Sequence, residues 1–114
     1  MNKVPTPKVD IIAVHWYGGV SVSSFKNRMT DIYNKFQKPI WITEFACQTH
    51  YSSVQNPYKY TQAQVNAFLD GVIPWIQSQP WIHRYAWHNS EVGTSATWYN
   101  DGTLTETGLK YASF

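Results

Sequence analysis

A single acidic residue, Glu44, sits inside an otherwise apolar run, Pro39-Ile-Trp-Ile-Thr-Glu-Phe-Ala46. A carboxylate there is costly to bury unless it is paired or put to use. Either it is a structural Glu satisfied by backbone and a neighbouring Arg or His, or it does chemistry. The chain has only seven Asp and Glu in all. Asp31 and Asp70 fall off the apolar stripes of predicted helices, Asp101 falls in a turn, and Glu106 at a helix start. Four histidines (His15, His50, His83, His88) make no HExxH or CxxC spacing, so no metal site and no cofactor is expected. Cys47 has no local feature that would lower its pKa and reads as a packed small residue.

Side-chain alternation groups these residues. In a strand over 39–46, Ile40, Ile42 and Glu44 share one face, and Trp41, Thr43 and Phe45 the other. In a strand over 9–17, Ala13, His15 and Tyr17 share a face. In a strand over 82–88, Tyr85 and Trp87 share a face. If these faces line one interior, Glu44, His15, Tyr17, Tyr85 and Trp87 converge near the strand C-termini. His15 or Tyr17 would hold Glu44 ionised, and Trp87 would offer a flat apolar wall. Each aromatic taken singly reads as core packing. With a carboxylate beside them the set reads as a sugar site.

The elements that must position them follow from periodicity. Residues 1–8 form an extended lead-in, because Pro5 and Pro7 disfavour helix. Residues 9–17, nearly all apolar and stopped by Gly18-Gly19, predict a buried parallel strand. Phe25, Met29, Ile32, Tyr33 and Phe36 make one stripe of a helix over 21–37. The second strand, 39–46, leads into a polar, tyrosine-rich loop, 47–60. Thr61-x-x-Gln64 is a capping box opening a helix with the stripe Val65, Phe68, Leu69, Val72 and Ile76. Pro74 is expected to kink it or end its regular part. A third strand, a turn at Asp101-Gly102 and a short helix over 105–111 complete the order.

Composition narrows the class. Charged residues are 14% and aromatic residues 17%, with six Trp and eight Tyr, which excludes disorder. A net charge of +2 with scattered basic residues argues against nucleic acid. No apolar run is long enough to span a membrane, and 1–10 lacks the apolar region of a signal peptide. Three parallel strands are a poor domain, since each outer strand exposes unpaired backbone groups. The expected partner is a complementing half-barrel or a second copy.

The segments Val9–Gly18 (VDIIAVHWYG), Lys38–Cys47 (KPIWITEFAC), Arg84–His88 (RYAWH) and Asp101–Tyr111 (DGTLTETGLKY) closely resemble the glycosyl hydrolase catalytic-core family of the fungal alkali-sensitive linkage protein type, glycoside hydrolase family 128. The resemblance spans about Val9 to Tyr111. It implies an α/β fold, the C-terminal part (about strands six to eight) of a TIM (β/α)8 barrel, with residues 1–114 forming a single partial catalytic domain. It implies Glu44 as nucleophile of a retaining β-1,3-glucanase, His15 and Tyr17 as orienting residues, and Trp16, Tyr85 and Trp87 as sugar-binding residues. It implies a β-glucan polysaccharide as ligand and an extracellular or cell-wall setting. The family's acid/base Glu lies on the fourth strand, which has no counterpart here, so the chain is expected to be inactive alone. Glu91 is the remaining local acid, and nothing around it supports that role. Where the family's eighth strand tends to carry a second aromatic, this chain has His88. A non-catalytic carbohydrate-binding or wall-associated protein is the alternative.

Uncovered strand edges drive association. The isolated 114 residues are therefore expected to aggregate, dimerise or stay molten. Sedimentation velocity with thermal melting checks this, and a monodisperse monomer melting in one sharp transition would contradict it.

Overall fold

The computed structural model describes residues 8–47, 59–88 and 93–114. Three strands, β1 (Ile12–Trp16), β2 (Ile40–Phe45) and β3 (Ile82–Trp87), form one sheet in the order β1-β2-β3. Both pairings are parallel, as the near-continuous apolar runs predict. Helix α1 (Val22–Phe36) joins the first two strands and α2 (Gln62–Ser78) precedes the third. A short α3 (Glu106–Ala112) follows. Most of the predicted loop 47–60, and Glu91 and His50, lie outside the described residues.

Local chemistry sets the helix limits. Ser21 caps α1 by accepting from the Ser24 N–H, and Gln37 ends it in the left-handed conformation at φ 52°. Thr61 and Gln64 form the reciprocal capping box of α2. That helix does not end at Pro74 but runs on to Ser78. Pro74 lies on the exposed side, where water can serve the Asp70 carbonyl that loses its partner. Val72, Ile73 and Ile76 beside it are fully buried and hold the turn in place.

Both long helices pack on one face of the sheet. Phe25 and Met29 of α1 meet Phe68, Leu69 and Val72 of α2 over Ile40, Ile42 and Phe45 of β2. Phe25 is the hub, with ring contacts to Trp16, Phe45, Phe68 and Trp75. The opposite face, with Ala13, His15, Thr43, Arg84 and Ala86, is exposed.

A polar clasp ties the segment after β3 to this core. The Trp87 indole N–H donates to the Ser95 carbonyl at 2.9 Å, and Thr107 donates to the Thr94 carbonyl at 2.6 Å. Thr105 donates to the Ala96 carbonyl, and Gln62 at the start of α2 donates to Thr107 at 2.8 Å. Gly108 makes the approach possible, because a Cβ there would lie 2.3 Å from the Thr97 carbonyl oxygen. Asp101 shapes the preceding turn by accepting from the Thr103 N–H at 2.9 Å and from its hydroxyl at 2.7 Å.

The sheet departs from simple alternation in β2. Val14 pairs with Ile42 and His15 with Glu44, which leaves Thr43 extra against β1. On the other side Ile42 pairs with Tyr85 and Phe45 with Trp87, so three residue steps face two. This is a β-bulge, which bends the strand and re-aims the side chains beyond it. The Thr43 hydroxyl donates to the Val14 carbonyl at 3.3 Å across the irregularity. Deleting Thr43 should remove the bulge and leave strict alternation, with Ile42 and Phe45 still on the helix side and Glu44 still on the open one. The expected cost is about 1 kcal/mol, the scale of the lost Thr43 hydrogen bond. Urea unfolding of the deletion variant measures it, and a loss of several kcal/mol would contradict the assignment of Thr43 as the extra residue.

Candidate active site

The bulge corrects the face on which Glu44 lies. Strict alternation groups Glu44 with Ile40 and Ile42, yet those two are buried under the helices while the Glu44 side chain is 36% exposed on the open face. Phe45, beyond the bulge, is fully buried in their place. Two backbone bonds fix the end of the sheet around it. The Ala46 N–H donates to the Trp16 carbonyl at 3.0 Å and the His88 N–H to the Phe45 carbonyl at 2.9 Å.

Three groups converge on the Glu44 carboxylate. The Tyr17 hydroxyl donates a short hydrogen bond to Oε1. His15 Nε2 lies 3.1 Å from Oε2, and His88 Nδ1 lies 3.4 Å from Oε1. The Tyr17 ring meets both imidazoles edge-on, at 6.3 Å from His15 and 5.7 Å from His88. The Tyr17 hydrogen bond, followed by the charges of His15 and His88, holds the Glu44 carboxyl below its ordinary range despite some desolvation. Burial first, then the bond to Glu44, pushes the Tyr17 phenol up, so it stays a donor. Burial likewise raises the Cys47 thiol, which fits an inert packed residue.

Tyr17 owes its place to the turn that follows it. Gly19 has φ +90°, and a Cβ there would lie 2.7 Å from the Tyr60 hydroxyl. Only glycine admits both the conformation and the approach.

The aromatic residues expected beside Glu44 turn the other way. Trp87 pairs with Phe45, is 8% exposed, and packs on Phe45, Phe68 and Tyr111. Tyr85 pairs with Ile42, contacts Phe45 and Tyr111, and accepts from Gln77 at 3.1 Å. The Trp16 ring rests on Phe25. All three lie on the helix side with Ile42 and Phe45, whereas the bulge at Thr43 puts Glu44 on the open face. The expected convergence of Tyr85 and Trp87 with Glu44 on one face is thereby corrected, while that of His15 and Tyr17 is found. His88 is the member that alternation missed, since placing Tyr85 and Trp87 on the Glu44 face sends the adjacent His88 to the other one. Its signal was its departure from an aromatic in the sequence pattern.

Among the described residues no other carboxylate acts on Glu44, and no cluster of His, Cys, Asp and Glu fits a metal ion. Asp10 lies 3.8 Å from Lys8, and Asp70 is held by Lys110 at 2.8 Å. What remains is one ionised carboxylate, oriented by a phenol and flanked by two imidazoles, at the C-terminal ends of parallel strands. Such ends are where α/β barrels hold their sites.

Residues 1–111 match the family described as Glycosyl hydrolase catalytic core. The chain belongs to this family. The glycosyl hydrolase catalytic core chain is 29% identical over 113 residues to alkali-sensitive linkage protein 1 of Schizosaccharomyces pombe, covering 93% of itself and 20% of that protein. It is 28% identical to a solved oligosaccharide-binding protein of subgroup VII of glycoside hydrolase family 128, from Cryptococcus neoformans. The TM-score is 0.78, over 95% of this chain and 41% of that one. It is 27% identical to a subgroup I endo-β-1,3-glucanase of Amycolatopsis mediterranei solved with laminaritriose. There the TM-score is 0.76, over 93% of this chain and 45% of that one. The chain thus spans less than half of the solved chains it matches, and a fifth of the yeast protein. Its three strands are part of a (β/α)8 barrel, with the helices outside and the open face turned inward.

The depressed Glu44 carboxyl has a pH consequence. A carboxylate whose folded pKa is lowered contributes stability above the ordinary carboxylate range, and that contribution is lost as pH falls through the lowered folded value. Tyr17→Phe removes the largest lowering influence. We expect the Glu44 pKa in that variant to move up toward its ordinary value, read by carboxyl carbon NMR titration. An unmoved titration would show that the Tyr17 bond does not hold the ion.

Proposed function

We propose that this chain supplies the nucleophile side of a β-1,3-glucan-hydrolysing site, with Glu44 as the nucleophile. The observation that carries the reading is the Glu44 carboxylate, bulged out of the core onto the inner barrel face and kept ionised by Tyr17, His15 and His88. In retaining hydrolysis one carboxylate attacks the anomeric carbon while a second carboxyl, about 5–5.5 Å away, protonates the leaving oxygen. Glu44 Oε2 has one imidazole neighbour and Oε1 has two partners, so Oε2 is the freer oxygen for attack. Tyr17 and His88 fix the carboxylate plane through Oε1, which keeps attack in line.

The acid/base is not among the described residues. General acid catalysis is worth on the order of 10²–10⁴-fold, and positioning by the rest of a cleft adds to it. The 114 residues alone are therefore proposed to lack turnover. An extracellular or cell-wall setting is part of the same reading, because β-glucan is a wall polysaccharide and one relative is named for alkali-sensitive linkage.

A second reading, binding without turnover, draws on the Cryptococcus neoformans relative named as an oligosaccharide-binding protein. It also draws on the single carboxylate at the site. Helix-side burial of Trp16, Tyr85 and Trp87 weakens it, since none presents a free ring for stacking beside Glu44.

Two measurements separate the readings. The 114 residues alone should release no reducing sugar from laminarin and at most a trace of phenol from an activated aryl glucoside. A fragment supplying the remaining barrel strands should restore laminarin cleavage, and Glu44→Gln should then abolish it while sparing laminaritriose binding. Robust cleavage by the Gln variant would make Glu44 structural. Binding with no cleavage in the completed barrel would favour the second reading.

A further inference from the structure

Below Glu44 the open face continues into a second layer. Ala13, Trp41 and Arg84 are neighbours across the three strands at this level. The Arg84 guanidinium lies over the Trp41 ring, 5.4 Å from its centroid. Arg84 is exposed and makes no ion pair among the described residues. The Trp41 indole N–H is shut off from solvent and has no acceptor among the described residues. The layer therefore holds donors and a cation, and no acceptor.

That imbalance matters once the face is covered. A barrel interior is a packed core, not a pore. A guanidinium enclosed there is costly unless a carboxylate pairs with it. The edges of β1 and β3 are both unpaired within the described sheet, so the cover must arrive as strands that continue it.

We propose that the open face takes barrel-completing strands that bring an Asp or Glu side chain level with Arg84, and that it disfavours a second copy of this chain. The discrimination follows from symmetry. Two copies related by a two-fold along the barrel axis bring Arg84 against Arg84, in a layer whose other members are Ala13 and Trp41. Like charges facing each other select against a wrong partner. Glu44 cannot relieve them, because it lies in the next layer and is already engaged by Tyr17 and flanked by two histidines. The inference does not depend on Glu44 acting as a nucleophile.

The test supplies the missing carboxylate in an identical frame. Dye-labelled Arg84→Glu chain is titrated with unlabelled wild-type chain, and anisotropy reports association. The mixed pair should associate roughly tenfold or more tightly than either chain with itself, and salt should weaken it. Lys35→Glu makes the same charge change on α1, away from the face, and should give no such gain. The proposal is overturned if wild-type chain binds itself as tightly as it binds the acidic variant, if the mixed pair does not associate, or if Lys35→Glu serves as well. Circular dichroism confirms folding of each chain. Should Arg84→Glu not fold, Arg84→Gln replaces it: self-association tighter than wild type is expected, and unchanged self-association overturns the proposal.

Discussion

The extra residue in β2 is the constraint on which the site depends. A strand packed under two helices must send every second side chain into hydrocarbon. Without an irregularity Glu44 would follow Ile40 and Ile42 into that layer. One unpaired residue, Thr43, lets the same strand bury Phe45 and present Glu44 to the other side. The core loses nothing, because Phe45 fills the space between Phe25 and Trp87. The carboxylate gains a hydrated face on which two histidines and a tyrosine can reach it. Core packing and site chemistry are thus served by one strand of six residues.

Much of this was legible in the sequence. Periodicity placed the three strands and three helices within a few residues, and the Thr61 and Gln64 capping box stands as expected. His15, Tyr17 and Glu44 come together as the motifs imply. The faces of Tyr85 and Trp87 were not legible, because side-chain alternation assumes an unbroken register and a bulge leaves no mark in residue types. At Pro74 the sequence leaves a kink or an end of the regular helix open, and tertiary packing around Val72, Ile73 and Ile76 carries α2 on to Ser78. His88 was visible only as an oddity in the pattern, since its reach to Glu44 depends on its backbone bond to Phe45.

The two sides of the sheet follow different rules. The helix side is a closed aromatic lattice around Phe25, in which each ring meets others edge-on or tilted. Such packing sets one geometry for the backbone beneath it. The inner side is charged and polar in layers, Glu44 with His15 above, and Arg84 with Trp41 below. Rigidity on the first side is what lets sparse groups on the second hold their spacing without packing of their own.

The clasp after β3 has a bearing on when that spacing arises. Thr94, held by Thr107, donates to the Tyr60 carbonyl at 2.8 Å, and the Tyr60 hydroxyl rests against Gly19, two residues beyond Tyr17. Gln62 bridges to Thr107 across 45 residues of sequence. Contacts of such separation form late, since their loop must close first. On the ribosome, the strands emerge well before the segment that fastens them. The surroundings of Tyr17 are therefore finished by a segment made after all three strands, and a nascent chain that has not yet reached it would carry the sheet before it carries the settled site.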